Sequence, residues 1–313
     1  MKLLTGQQKS RIIDKSSRVI VTILRAAFII GVAYIILQPL FAQLSSSFMI
    51  ERDLYDQTVR WLPRNPTLEN YINVWRLMNY PITFLNSFLL TAVVAILQVA
   101  SCTIVGYGLG RFDYPGSRIV FAMAIFTLVV PPQMIMIPLY LNFRFFNIFG
   151  LLGEEGINLL NSSWPFILTS LTATGLRNGL FIYIMRQFFK GMPRSLEEAA
   201  YVDGAGVLKT FYKIMLPGAL PGILVIFLFA FVWQWNDYFF MNLFMGSGGN
   251  FLTQALDGLA LKAVDGDHNL LLSEYASIIN NTGSLLFIAP LLIMYLFLQR
   301  YFIESVERTG IVG

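Results

Sequence analysis

The chain has 313 residues, 56% of them hydrophobic and only 13% charged, with a formal net charge of +4. Soluble domains carry about 25% charged residues, so this composition excludes an ordinary water-soluble globule and points to a chain solvated by lipid. One cysteine, Cys102, and one histidine, His268, leave no material for a disulfide framework or a Cys/His metal cluster.

A bilayer core of ~30 Å takes roughly 20 apolar residues per helix. Charge-free runs of that length recur, and in chain order they predict six helices at about 22–44, 83–105, 119–141, 163–185, 218–242 and 275–299. The expected fold is all-α: a polytopic membrane protein with a cytoplasmic N-terminal segment (1–18) and a six-helix transmembrane domain over 19–313. The basic start followed by an apolar run resembles a secretory signal. That run continues past Pro39 to Leu44 and further apolar runs follow, so it reads as an uncleaved first helix.

Between the first two helices, the outer loop 45–82 carries Trp61, Tyr71, Trp75 and Tyr80, residue types that prefer the headgroup layer. Prolines fall inside the runs at Pro39, Pro131, Pro132, Pro138 and Pro290, each removing a backbone donor and inviting a kink. "VVPPQMIMIP" is the densest case, and Gln133 beside it is a candidate to face a translocation pathway; a kink that only improves packing is the alternative. The outer loop 246–274 opens with "GSGGN" and holds His268. Leu256, Leu259 and Leu261 could lie there on a short surface helix, serving as a lid or a docking surface.

Fourteen of the 22 basic residues fall in segments on one side of the expected spans, six on the other, and Arg25 and Arg177 near or within them. Basic segments stay cytoplasmic, so both termini are expected inside. The positive excess then reflects topology and does not call for nucleic acid.

One polar interval on that inner side, 195–217, is patterned. Ser195 and Glu198 have the S-x-x-E spacing of a capping box, "LEEAAYVD" favours helix, and Gly204 suits the left-handed residue that ends one. "VLKTFYKIML" then puts Val207, Phe211, Ile214 and Met215 on one helical face, and Pro217 is expected to stop it. The product is a helix-turn-helix element. "GAGVLKT" lacks the glycine that a phosphate-binding loop needs before its lysine, Leu208 standing there instead, so no ATP site is expected on this chain.

These residues carry a resemblance. "EAAYVDGAGVLKTFYKIMLP" resembles the EAA signature of ATP-binding-cassette importer permeases, with Glu198, Ala199, Ala200, Gly204, Ile214, Leu216 and Pro217 at its positions. "IPLYLNF", "FIYIMRQFFKGMPRSLEEAA", "WNDYFF" and "RYFIESVERTGIVG" are similar to the carbohydrate-importer branch, in particular its maltose-type second permease subunit. The resemblance spans roughly residues 80–313. It implies that the 195–217 element, with Asp203 beside its turn, is a coupling helix docked in a cytoplasmic ATPase. It also implies a second homologous permease, two ATP-binding subunits, an extracytoplasmic sugar-binding protein, a bacterial plasma membrane location and no cofactor. Glu198 would make a polar contact with the ATPase and Gly204 the turn.

For a sugar pathway, amide and carboxylate groups beside aromatic rings are the fitting chemistry. "FVWQWNDYFF" supplies Trp233, Gln234, Trp235, Asn236, Asp237 and Tyr238; an aromatic girdle with Asp237 paired locally is the alternative. The rival function is an ion-coupled transporter or channel, which requires a relay of intramembrane charges. Only Arg25, Arg177 and Asp237 could lie at depth, and Arg177 is expected to snorkel toward the inner end of the fourth helix, with a pathway role as the alternative. A membrane enzyme is disfavoured by the lack of paired carboxylates in the runs.

Overall fold

The computed structural model describes residues 6–50, 52–53, 56, 58, 61–148, 150–153, 155–175, 177–246, 250–259, 262 and 272–310, with the side chains of the two terminal helices described over 18–47 and 275–299. His268 and Leu261 lie outside the described residues. The elements are α1 (Gly6–Ser47), α2 (Glu69–Leu77), α3 (Tyr80–Arg111), α4 (Ser117–Val129), α5 (Pro132–Arg144), α6 (Trp164–Leu171) and α7 (Asn178–Gly191). They continue with α8 (Ser195–Val202), α9 (Val207–Gly218), α10 (Leu220–Trp235), α11 (Tyr238–Met245), α12 (Leu252–Leu256) and α13 (Leu272–Gly310). The described residues form no strand, only one antiparallel bridge between Phe146 and Ile157.

Three helical stretches are long and apolar enough to cross a membrane by themselves: Arg18–Ser47, Tyr80–Arg111 and Tyr275–Gln299. Two bent pairs meet the same criterion jointly, α4 with α5 at 107° and α9 with α10 at 74°. The first bend has a local cause. Pro131 and Pro132 are adjacent, and a proline forces its predecessor out of the helical region; Pro131 sits at φ −62°, ψ 133°.

The run expected as one helix over 163–185 is instead two, α6 ending at Leu171 and α7 starting at Asn178. No proline breaks it. Ala173 takes a left-handed φ of 55°, and the amides of Thr174 and Gly175 both donate back to Thr169 O, closing the end of α6. The run expected over 218–242 is likewise interrupted at Asn236–Asp237, where Asp237 Oδ1 accepts from Phe240 N at 3.0 Å and starts α11.

The chain divides into two compact units, residues 1–75 with 259–285 and residues 76–258 with 286–313. In the first, Asn70 Nδ2 donates to Ser47 O and Met49 O, both at 2.9 Å, and Asn281 Nδ2 to Ser46 Oγ at 2.9 Å. Trp61 and Trp75 are exposed there. Tyr80 is not a headgroup anchor. It opens α3 in the second unit, 8% exposed, with Oη donating to Leu286 O at 2.9 Å. Of the leucines expected on a short helix in the 246–274 loop, Leu256 ends α12 half-buried and Leu259 is buried.

In the second unit α3 is the central post, packed against α6, α7 and α10. Its close approach to α7 depends on glycine. A Cβ on Gly106 would stand 2.6 Å from Met185 Cβ, and one on Gly110 3.2 Å from Arg186 O. "GYGLGR" is therefore a helix-packing stripe. Across α7, Gly179 lies against the Ala124 carbonyl of α4 in the same manner.

Candidate functional site

In the Ser195–Pro217 element, α8 and α9 meet at Gly204, whose φ of 77° only glycine adopts without strain. The anticipated capping box is absent. Arg194, not Ser195, is the N-cap residue, and no side chain caps the helix. Pro193, with its preset φ, starts the turn a residue early: Leu196 N donates to Pro193 O and Glu198 N to Arg194 O. Glu198 is thereby left exposed, together with Ala199, Val202 and Asp203, while Ala200 is buried.

The residue that sequence reasoning missed is Glu197. Successive helical residues point about 100° apart, so with Glu198 outward Glu197 turns in. Its Oε1 accepts from Tyr107 Oη at 2.9 Å, and its Oε2 is 3.1 Å from Arg111 Nε. Both side chains of the ion pair are buried, and Arg111 NH2 also donates to Met192 O at 3.0 Å. Three groups at the end of α3 and the root of α8 are thus bound into one network.

Beyond the elbow, α9 contains a π turn over Phe211–Met215. The face anticipated for a regular helix is consequently redistributed: Phe211 and Met215 are buried, Ile214 is half-buried and Val207 is exposed. Phe211 packs on Tyr107 with ring centroids 4.8 Å apart. Pro217 does not end the helix. The Leu216–Gly218 turn carries α9 through it, and the break falls at Ala219.

A cavity of about 110 Å³ lies elsewhere in the same unit. Of the anticipated pathway residues, Trp233, Gln234 and Asp237 line it. Trp235 does not: it is 2% exposed and its Nε1 donates to Phe287 O at 3.1 Å, a packing role. Asn236 and Tyr238 face a second cavity, where Tyr238 Oη donates to Asp257 Oδ2 at 2.6 Å. Gln133 is exposed and lines neither; Ile135 and Leu139 are the residues of α5 that do. Gln98 and Ser170, not anticipated as pathway residues, complete much of the first wall together with Arg177, for which a pathway role is the alternative expectation.

Arg177 does not snorkel away. The break before α7 sets it opposite α10, where NH1 donates to Trp233 O at 3.0 Å and stands 3.6 Å from Asp237 Oδ2. Its guanidinium also lies 5.6 Å from the Trp233 ring centroid. These two charges satisfy each other and form no series, which the ion-coupled alternative would need. Among the described residues no cluster of three or more His, Cys, Asp or Glu could hold a metal.

The family described as "Binding-protein-dependent transport system inner membrane component" matches residues 102–307. The osmoprotective compounds uptake permease protein GgtD of Synechocystis is 30% identical over 284 residues, covering 89% of this chain and 88% of its own. The melibiose/raffinose/stachyose import permease protein MelC of Bacillus subtilis is 28% identical over 302 residues, covering 96% and 98%. A chain in the crystal structure of a bacterial ABC transporter involved in the import of alginate, an acidic polysaccharide, superposes with a TM-score of 0.70 at 21% identity, covering 96% of this chain and all of that one. With the family matched over more than half its length, and an all-helical fold shared with an importer, the chain belongs to the binding-protein-dependent transport system inner membrane components, the permease family of ATP-binding-cassette importers.

Proposed function

We propose that this chain forms half of the translocation pathway of an importer for a sugar or oligosaccharide, crossing a bacterial plasma membrane six times with both termini inside. The α4–α5 and α6–α7 pairs would each serve as one broken span. A second homologous permease would supply the other half of the pathway. Two cytoplasmic ATP-binding subunits would supply the work, and an extracytoplasmic binding protein would deliver the solute. The sugar assignment is supported by relatives named for alpha-glucosides, arabinooligosaccharides and melibiose.

The observation that carries the coupling role is the two-sided build of the 195–217 element. Its outer side offers Glu198, Ala199 and Asp203 to a partner, the small alanine permitting close approach. On its inner side Ala200 is buried and Glu197 is bonded to Tyr107 and Arg111 of α3. Gly204 makes the elbow, and Ile214, Leu216 and Pro217 lead from it into α10. An element held rigidly on one side and exposed on the other can carry a movement of the ATPase into the helices. ATP could drive such a change only through different affinities for the two transporter states.

The test is Glu198→Lys in the reconstituted importer. Reversing an exposed charge leaves the fold intact, so the complex should be made in normal amount. Solute-stimulated ATP hydrolysis should fall at least tenfold, the effect of losing about 1.4 kcal/mol of interfacial contact. Hydrolysis and uptake at normal rates would remove the coupling assignment.

A further inference from the structure

Two helix breaks meet at one place. The connection between α6 and α7, through Thr174, Gly175 and Arg177, and that between α10 and α11, through Asp237, both contribute to the wall of the 110 Å³ cavity. Non-helical backbone in a membrane chain is tolerated where it is buried in protein or lines a watery cavity, and interrupted helices are a general mark of solute sites in transporters.

The wall carries an unsatisfied group. Gln234 is 7% exposed, it lines the cavity, and its Nε2 finds no acceptor among the described residues. Buried donors without an acceptor are rare in native proteins. Beside it, Arg177 and Asp237 are the only ionisable residues among those lining the cavity, so the formal charge of the wall is zero. The rings of Trp233, Phe166 and Phe240 supply apolar faces.

Resting on the permease reading above, we propose that this subunit itself contacts the solute here and that the site selects a neutral polyhydroxylated ring. Gln234 Nε2 donates to a hydroxyl or ring oxygen. The Arg177–Asp237 pair offers donors on one side and an acceptor on the other, while an aromatic face covers the ring. An anionic sugar finds Asp237 cancelling the charge that would attract it. Uncharged sugars lose nothing to that cancellation.

The experiment uses the complete importer in proteoliposomes with radiolabelled raffinose, maltotriose and arabinotriose, and with trigalacturonate as the acidic counterpart. The wild type should import at least one neutral trisaccharide and exclude trigalacturonate. Gln234→Leu removes a donor that has no protein partner, so the assembled complex should form normally, with the uptake KM for that trisaccharide raised about tenfold. Asp237→Asn should admit trigalacturonate, because Arg177 is then unbalanced; Arg177→Met, which leaves the α11 cap in place, should not. Wild-type kinetics in Gln234→Leu, unchanged selectivity in Asp237→Asn, or wild-type preference for trigalacturonate each overturns the site. Assembled wild type that hydrolyses ATP but imports no sugar of the panel overturns the sugar-importer reading instead, and the site with it.

Discussion

Glu197→Ala is expected to be the most damaging single substitution in the 195–217 element, more so than any change at exposed Glu198. It leaves the buried Arg111 guanidinium without its carboxylate and the Tyr107 hydroxyl without its acceptor. Removing one member of a buried pair costs about 3–5 kcal/mol, because the remaining charge stays desolvated. Thermal unfolding of the purified complex should therefore occur at lower temperature. The double variant Glu197→Leu with Arg111→Met should recover more than half of the loss, since two apolar groups leave nothing unpaired. The network also has a mechanical role under the proposed function, and that role has its own readout. In the double variant, with stability restored, ATP consumed per solute imported should still rise, because α8 is no longer held by directional bonds to the end of α3. A double variant with wild-type stoichiometry would make the network a matter of stability alone.

The second large effect concerns the glycine stripe. Gly106→Val should prevent normal assembly, because its Cβ would stand 2.6 Å from Met185 Cβ, an atom at the root of its side chain that cannot swing aside. Overpacking of this kind costs about 1–3 kcal/mol or more, and α3 is the post on which α6, α7 and α10 lean. Gly108→Ala is the control two residues along. Nothing lies within 4 Å of its would-be Cβ, so the substitution should be neutral or stabilising by about 0.5–1 kcal/mol through helix propensity alone. Membrane yield and unfolding temperature of the two variants separate the readings; equal effects would mean that the stripe is not the contact.

Where a single residue type dictates backbone geometry, local reasoning read this chain well. Gly204 is the elbow because its φ is positive, and the bend at Pro131 follows from two adjacent rings without N–H groups. The interruption between α6 and α7 was not legible. Hydropathy sees an unbroken apolar run there, with no proline to mark it, and the break is made by backbone bonds to Thr169 that leave no compositional trace. The start of α11 could have been read from "NDYFF", since an aspartate ahead of an apolar run is a standard helix cap. Glu197 was hidden for a different reason. Two adjacent carboxylates are equivalent on paper, and only the position of Arg111, 86 residues earlier in the numbering, decides which one turns inward. Arg177 shows the same thing in reverse: a lone basic residue suggests the headgroups until its carboxylate partner is placed within 3.6 Å.

The π turn over Phe211–Met215 makes the connection from elbow to α10 one residue longer than regular winding requires. Leu216 N–H reaches back to Phe211 O across that surplus. Tyr212 and Lys213 are both exposed, so the extra residue bulges on the outward side. It behaves as a shim. Excising Lys213 would let the stretch relax to ordinary pitch with Phe211 and Met215 still inward, so the reach of the elbow is trimmed in steps of a single amino acid without disturbing either anchored end.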